Sequence, residues 1–145
     1  MIVRRATLDD LDILLTLAAE FNDIDRHDHD PVRVRAAMQP LLVSDDLGVV
    51  YLFGDGLGYA LVTWGYSIES GGRDALLDEI YTRERGKGRG GELLDAVLED
   101  LAQRGLPRVF LETEAHNKAV RRFYTRHGFR TEDSIWMTRD LWPLS

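Results

Sequence analysis

Asp74-Ala75-Leu76-Leu77-Asp78-Glu79-Ile80-Tyr81-Thr82, followed after Arg83-Glu84 by Arg85-Gly86-Lys87-Gly88-Arg89-Gly90-Gly91, is the stretch on which the fold turns. Its first part reads as a strand. Its last part opens a helix-like run from Gly90 to Arg104, where Leu93, Leu94, Val97, Leu98 and Leu101 share one face. The glycines between them let the backbone approach a ligand closely and adopt conformations closed to other residues. A helix start adds unbonded N–H groups and the positive end of its dipole. Arg85, Lys87 and Arg89 add positive charge. A strand, a glycine-rich cationic loop and a helix in that order form a cradle for phosphate or diphosphate.

Upstream, Val49 to Phe53 and Gly58 to Tyr66 read as strands joined by a Gly54-Asp55-Gly56 hairpin turn. Ser70-Gly71-Gly72 makes the next turn, so the strands form an antiparallel meander with Asp74 to Thr82. Earlier still, Ile2 to Ala6 is a short strand and Thr7 an N-cap with Asp9 and Asp10 in the first turn. Leu8, Leu11, Leu14, Leu15, Ala18 and Phe21 follow at helical spacing. After the acidic loop Asn22 to Asp30, Pro31 starts a second helix that Pro40 is expected to kink or end. Downstream, Gly105 and Pro107 end the third helix. Val109 to Glu112 is a strand, Asn117 to His127 a helix stopped by Gly128, and Phe129 to Asp133 and Ile135 to Arg139 are two further strands. The expectation is an α+β fold with a mixed, mostly antiparallel sheet of about six to seven strands and about four helices. No linker or repeat interrupts it, so residues 1–145 read as a single domain.

Composition narrows the function. The 145 residues are 44% apolar and 30% charged, ordinary for a globular chain. A net charge of −7 speaks against a nucleic-acid partner and suits a cationic one. Without cysteine there is no thiolate nucleophile, thiolate metal site or disulfide. Met1-Ile2-Val3-Arg4-Arg5 lacks a signal-peptide core and no run has the length of a membrane span, so a cytoplasmic protein with no membrane partner is expected.

The loop has several readings as a phosphate site. A nucleotide-hydrolase P-loop needs Gly-x-x-x-x-Gly-Lys-Ser/Thr, which is absent. Gly86, Gly88 and Gly91 satisfy the dinucleotide pattern Gly-x-Gly-x-x-Gly, and Glu112 ends a strand near the place, about 20 residues on, of a ribose-binding acid. That unit, however, sits behind a meander in a chain too short for both halves of a dinucleotide fold. The third reading is coenzyme A. Arg85, Gly88 and Gly90 match Arg/Gln-x-x-Gly-x-Gly/Ala, with Leu77-Asp78-Glu79-Ile80-Tyr81 before and Leu93-Leu94 after. A second block follows in Asn117, Ala119, Phe123-Tyr124 and Gly128-Phe129. In these residues, over roughly 58–139, the chain resembles the GNAT acetyltransferase superfamily. One departure is the connection Thr82-Arg83-Glu84, which is shorter than usual in that family.

The resemblance implies an N-acetyltransferase that moves an acetyl group from acetyl-CoA, its cosubstrate, to a primary amine by direct attack in a ternary complex. It implies a diphosphate on the backbone of Arg85, Gly86, Lys87, Gly88, Arg89, Gly90 and Gly91. It places a pantetheine arm along Ile80, Tyr81 and Thr82 and beside Asn117. Asn117 also reads simply as a helix N-cap. Tyr124 matches the family tyrosine facing the coenzyme A sulfur, where a phenol can protonate a thiolate, and otherwise reads as a core aromatic. For the base, Glu79 is the first choice and Asp78 the alternate; they adjoin on a strand and so face opposite sides. Glu112, Glu114 and His116 stay open as bases. Dimers are frequent in this superfamily, so a homodimer is also implied.

The acceptor pocket that the resemblance implies lies among the first two helices, their loop and the hairpin before Asp78. The loop carries Asp25 and His27 among several acids, and the hairpin carries Trp64 and Glu69. Carboxylates and an aromatic wall suit a cationic amine. The acceptor expected is a small amine, polyamine-like or aminoglycoside-like. Alternatives are a protein lysine or N-terminus, or a non-catalytic coenzyme A-binding module. His27-Asp28-His29-Asp30 lacks a further ligand for a metal site, so no metal is expected.

Overall fold

The computed structural model describes residues 2–25 and 30–142, residue 25 by its backbone alone. Contacts divide the chain into two compact units, residues 1–112 and 113–145.

The first unit is built on the meander. β2 (Gly48–Phe53), β3 (Gly58–Ser67) and β4 (Gly72–Thr82) pair antiparallel, and β1 (Val3–Arg5) adds antiparallel to β2. β5 (Val109–Phe110) pairs parallel with β4 at Ala75 and Leu76, giving the sheet order β1-β2-β3-β4-β5. Every residue of β2 is buried, which is why Val49 to Phe53 is a continuous apolar run rather than an alternating one. Gly58 opens β3 directly opposite Thr82, and any side chain there would run into the carbonyl oxygen of Tyr81.

Helices cover both faces of the sheet. α1 (Leu11–Asp25) and α2 (Pro31–Val43) bury Leu14, Leu17, Ala18, Met38, Leu41 and Leu42 against Val50, Leu52, Tyr59, Leu61 and Tyr81. α3 (Arg89–Gln103) packs on the strands with Leu93, Leu94, Val97 and Leu101 buried. The Tyr51 hydroxyl, from β2, donates to Asp100 of α3 at 2.6 Å.

The helix starts follow their sequence signals. A single 3-10 turn, Leu8–Asp10, precedes α1. The Asp10 carboxylate accepts the Thr7 backbone N–H at 2.8 Å and both Arg4 guanidinium nitrogens at 2.9 and 2.8 Å. Asp30 caps α2 by accepting from the Val32 and Arg33 amides. The expected break at Pro40 does not end α2, which runs on to Val43. Proline removes one N–H from the helical ladder, and burial of Met38, Leu41 and Leu42 on either side outweighs that loss.

The second unit contains α4 (Lys118–Arg126). Asn117 caps it by accepting from the Val120 amide at 3.1 Å, and Gly128 follows at φ 91°. The strands expected at Phe129–Asp133 and Ile135–Arg139 are not formed, and β5 stops at Phe110 rather than Glu112. Alternating apolar residues mark a strand only when a partner ladder receives them. No strand exists among the described residues of this unit, and Ile135, Trp136 and Met137 are exposed. The α+β class and the mixed sheet hold, with five strands and four α-helices among the described residues.

Asp10 ties β1 to the start of α1, and Arg4 holds its carboxyl below the usual range against the opposing effect of burial. A depressed carboxyl stabilises the fold above its unfolded pKa, and that contribution is lost as pH falls through the folded value. Asp10→Asn is expected to cost about 1 kcal/mol at pH 7. The gap from wild type, measured by urea denaturation, should close as the pH is lowered below the carboxylate range.

Candidate active site

Along β3 and β4 the register shifts once. Leu61 pairs with Glu79 and Val62 with Leu77, which leaves Asp78 as an extra residue, a β-bulge on β4. Leu77 and Val62 lie outside the α1/α2 core cluster, on the face covered by α3. Simple alternation from Leu77 would put Glu79 on that same face. The bulge turns it over. Glu79 shares the α1/α2 face with Leu61, and its Oε1 accepts the Tyr59 hydroxyl at 2.5 Å. Burial and the neighbouring Glu79 charge push the Tyr59 phenol far up, so it stays protonated and donates.

Asp78 is exposed by surface area, yet desolvation by surrounding protein raises its carboxyl above the ordinary value. Ionisation is therefore harder at this point of the strand than in open water.

Two positions further, Tyr81 continues the same face. Its hydroxyl donates to Glu20 of α1 at 3.0 Å, and Arg83 holds the same carboxylate through Nε at 2.9 Å and Nη2 at 2.6 Å. The Arg83 bond is the main reason the Glu20 carboxyl lies below its usual range. Glu20 also lines an open groove of about 480 Å³ with Leu15, Thr16, Ala19, Asp23 and Pro31. None of Tyr59, Glu20 or Arg83 stands out in the sequence. Tyr59 reads as one more core aromatic, and Glu20 and Arg83 are 63 positions apart with no local signal joining them.

The other edge of β4 is open where the loop begins. β5 pairs only with Ala75 and Leu76, so among the described residues Leu77 to Thr82 have a sheet partner on the β3 side alone. An extended ligand can add to such an edge through main-chain hydrogen bonds. Ile80, Tyr81 and Thr82 lie on it.

The loop follows directly. Gly86 and Gly88 take left-handed backbone at φ 75° and 73°, and Gly88 caps α3. The first α3 ladder bond runs from the Glu92 amide to the Gly88 carbonyl, which leaves the Arg89, Gly90 and Gly91 amides outside the ladder. Glu84 lies 3.6 Å from Lys87 Nζ and 3.9 Å from Arg89 Nε, while Arg89 Nη1 meets Glu92 at 3.2 Å. The buried Arg89 Nε has no hydrogen-bond acceptor. Unladdered amides, left-handed glycines and an unsatisfied guanidinium N–H fit a diphosphate.

The remaining expected site residues are placed elsewhere. The Trp64 indole N–H donates to the Asp45 carbonyl at 2.7 Å, and Arg73 lies over its ring at 5.7 Å. Trp64 pairs with Ala75, toward the far end of the ladder from Glu79. Glu69 lies in the turn beyond, its side chain exposed and 3.9 Å from Arg108. His27 and the Asp25 side chain lie outside the described residues. Glu112 ends the first unit. In the second, the Glu114 carbonyl accepts from the Asn117 amide and from Arg121, and His116 stands beside Asn117. Tyr124 is half-buried, its ring edge-on to Phe123 at 5.1 Å and to Phe129 at 5.5 Å, and burial raises its phenol.

Comparisons with known proteins identify the family. The profile of the Acetyltransferase (GNAT) family matches residues 14–129. The uncharacterized N-acetyltransferase YhfO of Bacillus subtilis is 24% identical over 91% of each chain. An integron cassette protein from the mobile metagenome of Cole Harbour Salt Marsh superposes with a TM-score of 0.85 at 28% identity, over 97% of this chain and 91% of that one. A candidate acetyltransferase of Arthrobacter sp. FB24 does so at 0.84 and 27%, over 97% and 96%. With a family profile that matches most of its length, this chain belongs to the acetyltransferase (GNAT) family.

Proposed function

We propose that this acetyltransferase acts on a small cationic primary amine, polyamine-like or aminoglycoside-like, with Glu79 as base and Tyr124 as acid. The observation that carries the reading is the bulge at Asp78. It delivers the Glu79 carboxylate to the α1/α2 side of the sheet, where Tyr81 bonds Glu20, and Glu20 in turn lines a groove with Asp23. Carboxylates on one face attract an ammonium ion and hold it until it gives up a proton.

Acetyl-CoA supplies the acyl carbon and a thiolate leaving group. The loop from Arg85 to Gly91 would hold its diphosphate, and the open edge at Ile80 to Thr82 its extended arm. Glu79 takes the proton from the amine, with Asp78 as the alternate. The new bond joins the amine nitrogen to the acyl carbon, and the carbon–sulfur bond breaks. A backbone N–H on the open edge stabilises charge on the carbonyl oxygen. Tyr124, kept protonated through neutral pH by burial, gives its proton to the sulfur.

Thiol release from acetyl-CoA over a panel of polyamines, aminoglycosides, amino acids and lysine peptides tests the acceptor class. Polyamines or aminoglycosides are expected to turn over. Release with lysine peptides alone would assign a protein substrate, and coenzyme A binding without release on any amine would leave a binding module. Tyr124→Phe should lower kcat by about tenfold to a hundredfold and leave acetyl-CoA affinity within about twofold. Equal loss in both would remove Tyr124 as the acid. Gly88→Val forces a side chain into left-handed backbone and should weaken coenzyme A binding at least about tenfold by calorimetry. An unchanged Kd in a folded variant would refute the diphosphate cradle.

A further inference from the structure

We propose that Tyr59 is a positioning residue for Glu79, its core-held hydroxyl fixing the orientation and the ionised state of that carboxylate. The inference rests on the reading of Glu79 as base. Tyr59 is fully buried, with no exposed surface. On β3 it stands opposite Tyr81, two residues from Leu61, the partner of Glu79. It therefore reaches Glu79 on the diagonal of the same sheet face, a span open to a long side chain.

The bond is 2.5 Å, the short end for a hydroxyl donating to a carboxylate. A phenol has one hydrogen to give, and this one goes to Glu79. The ring is edge-on to Tyr81 at 6.4 Å, and Tyr81 is itself held by Glu20. Tyr59 thus has no room to swing away, and the carboxylate oxygen that it binds is fixed. Around Tyr59 stand Glu79, Asp78 and Tyr81 of β4, with Glu20 of α1 and Arg83 joined through Tyr81. The cation in that set, Arg83, is engaged by Glu20, and the Tyr59 hydrogen bond favours the charged form of Glu79.

Tyr59→Phe keeps the ring and removes the hydroxyl. The first readout needs no cosubstrate: a carboxyl-carbon NMR titration of glutamate-labelled protein, with the Glu79 signal assigned by its loss in Glu79→Gln. The Glu79 midpoint is expected to rise by about one pH unit in Tyr59→Phe. The second readout is kinetic, with whichever amine turns over. We expect kcat to fall about tenfold, the acid limb of kcat/KM to move up with the midpoint, and KM for acetyl-CoA to stay within about twofold. Tyr59→Phe/Glu79→Gln should be no slower than Glu79→Gln alone. Should Tyr59→Phe fail to fold, the Tyr59 hydroxyl proton is followed instead: a downfield, slowly exchanging signal in wild type that is lost in Glu79→Gln supports the bond, and its absence from wild type overturns it. An unmoved midpoint and rate in Tyr59→Phe, with Glu79→Gln inactive, overturns the role of Tyr59 alone. Full turnover by Glu79→Gln overturns the base and the positioning role together.

Discussion

One extra residue in β4 governs the site. Without the bulge the strand would keep its pleat, so that Asp78 would face α1 and α2 and Glu79 would face α3 with Leu77. With it, Leu77 stays with the α3 face while Glu79 and Tyr81 turn to α1 and α2. A bulge also adds local twist. Pairing of β4 with β5 is confined to Ala75 and Leu76, before the bulge, and the edge after it is open. Side-chain chemistry on one face and backbone chemistry on the edge thus begin at the same residue.

Such a device works only if the strands on either side are rigid. β3 and β4 are held from both faces: Tyr59, Leu61 and Tyr81 in the α1/α2 core, and Leu93, Leu94, Val97 and Leu101 beneath α3. A polar network closes the far side. Asp45 takes the Arg5 Nε at 2.6 Å and Arg104 at 2.9 Å, and its carbonyl takes the Trp64 indole. Arg104 reaches on to Asp100, which also accepts from Tyr51. The network links β1, β2, β3 and the end of α3 through hydrogen bonds to charged groups, the stronger kind. It gives Trp64 a structural occupation that its sequence context, in a hairpin near an acidic loop, does not reveal.

Local signals were legible and long-range ones were not. Gly54-Asp55-Gly56, Asp30-Pro31 and Asn117 announce a turn and two helix starts because each acts within a few residues. The three meander strands and α3 follow from apolar runs and glycine punctuation. Phe129 to Arg139 carries the same kind of alternation, yet forms no strand, because a strand is a property of a pair and the partner is not encoded locally. The adjacency of Asp78 and Glu79 shows that only one faces a given side. Which side depends on the register against β3, and a bulge leaves no mark in composition. The pairing of Tyr59 with Glu79 and the sharing of Glu20 between Tyr81 and Arg83 depend on that register, so they were invisible for the same reason.

The charge arrangement in the loop has its own logic. Lys87 and Arg89 would make a strongly cationic patch on a chain of net charge −7, but Glu84 and Glu92 stand beside them. Exposed ion pairs of this kind contribute little to stability. In the proposed anion site they would act on selectivity, since partly compensated cations attract stray anions less. The backbone amides of Arg89, Gly90 and Gly91 differ in that their direction is set by the helix rather than by rotatable side chains. In the proposed anion site the fixed part is therefore the backbone, shaped by the left-handed Gly86 and Gly88, and the side-chain charge is the adjustable part. Across the strand the polar groups are side chains: Glu79 accepts from Tyr59, and Glu20 accepts from Tyr81 and Arg83, while the β4 backbone there is laddered to β3 on one edge.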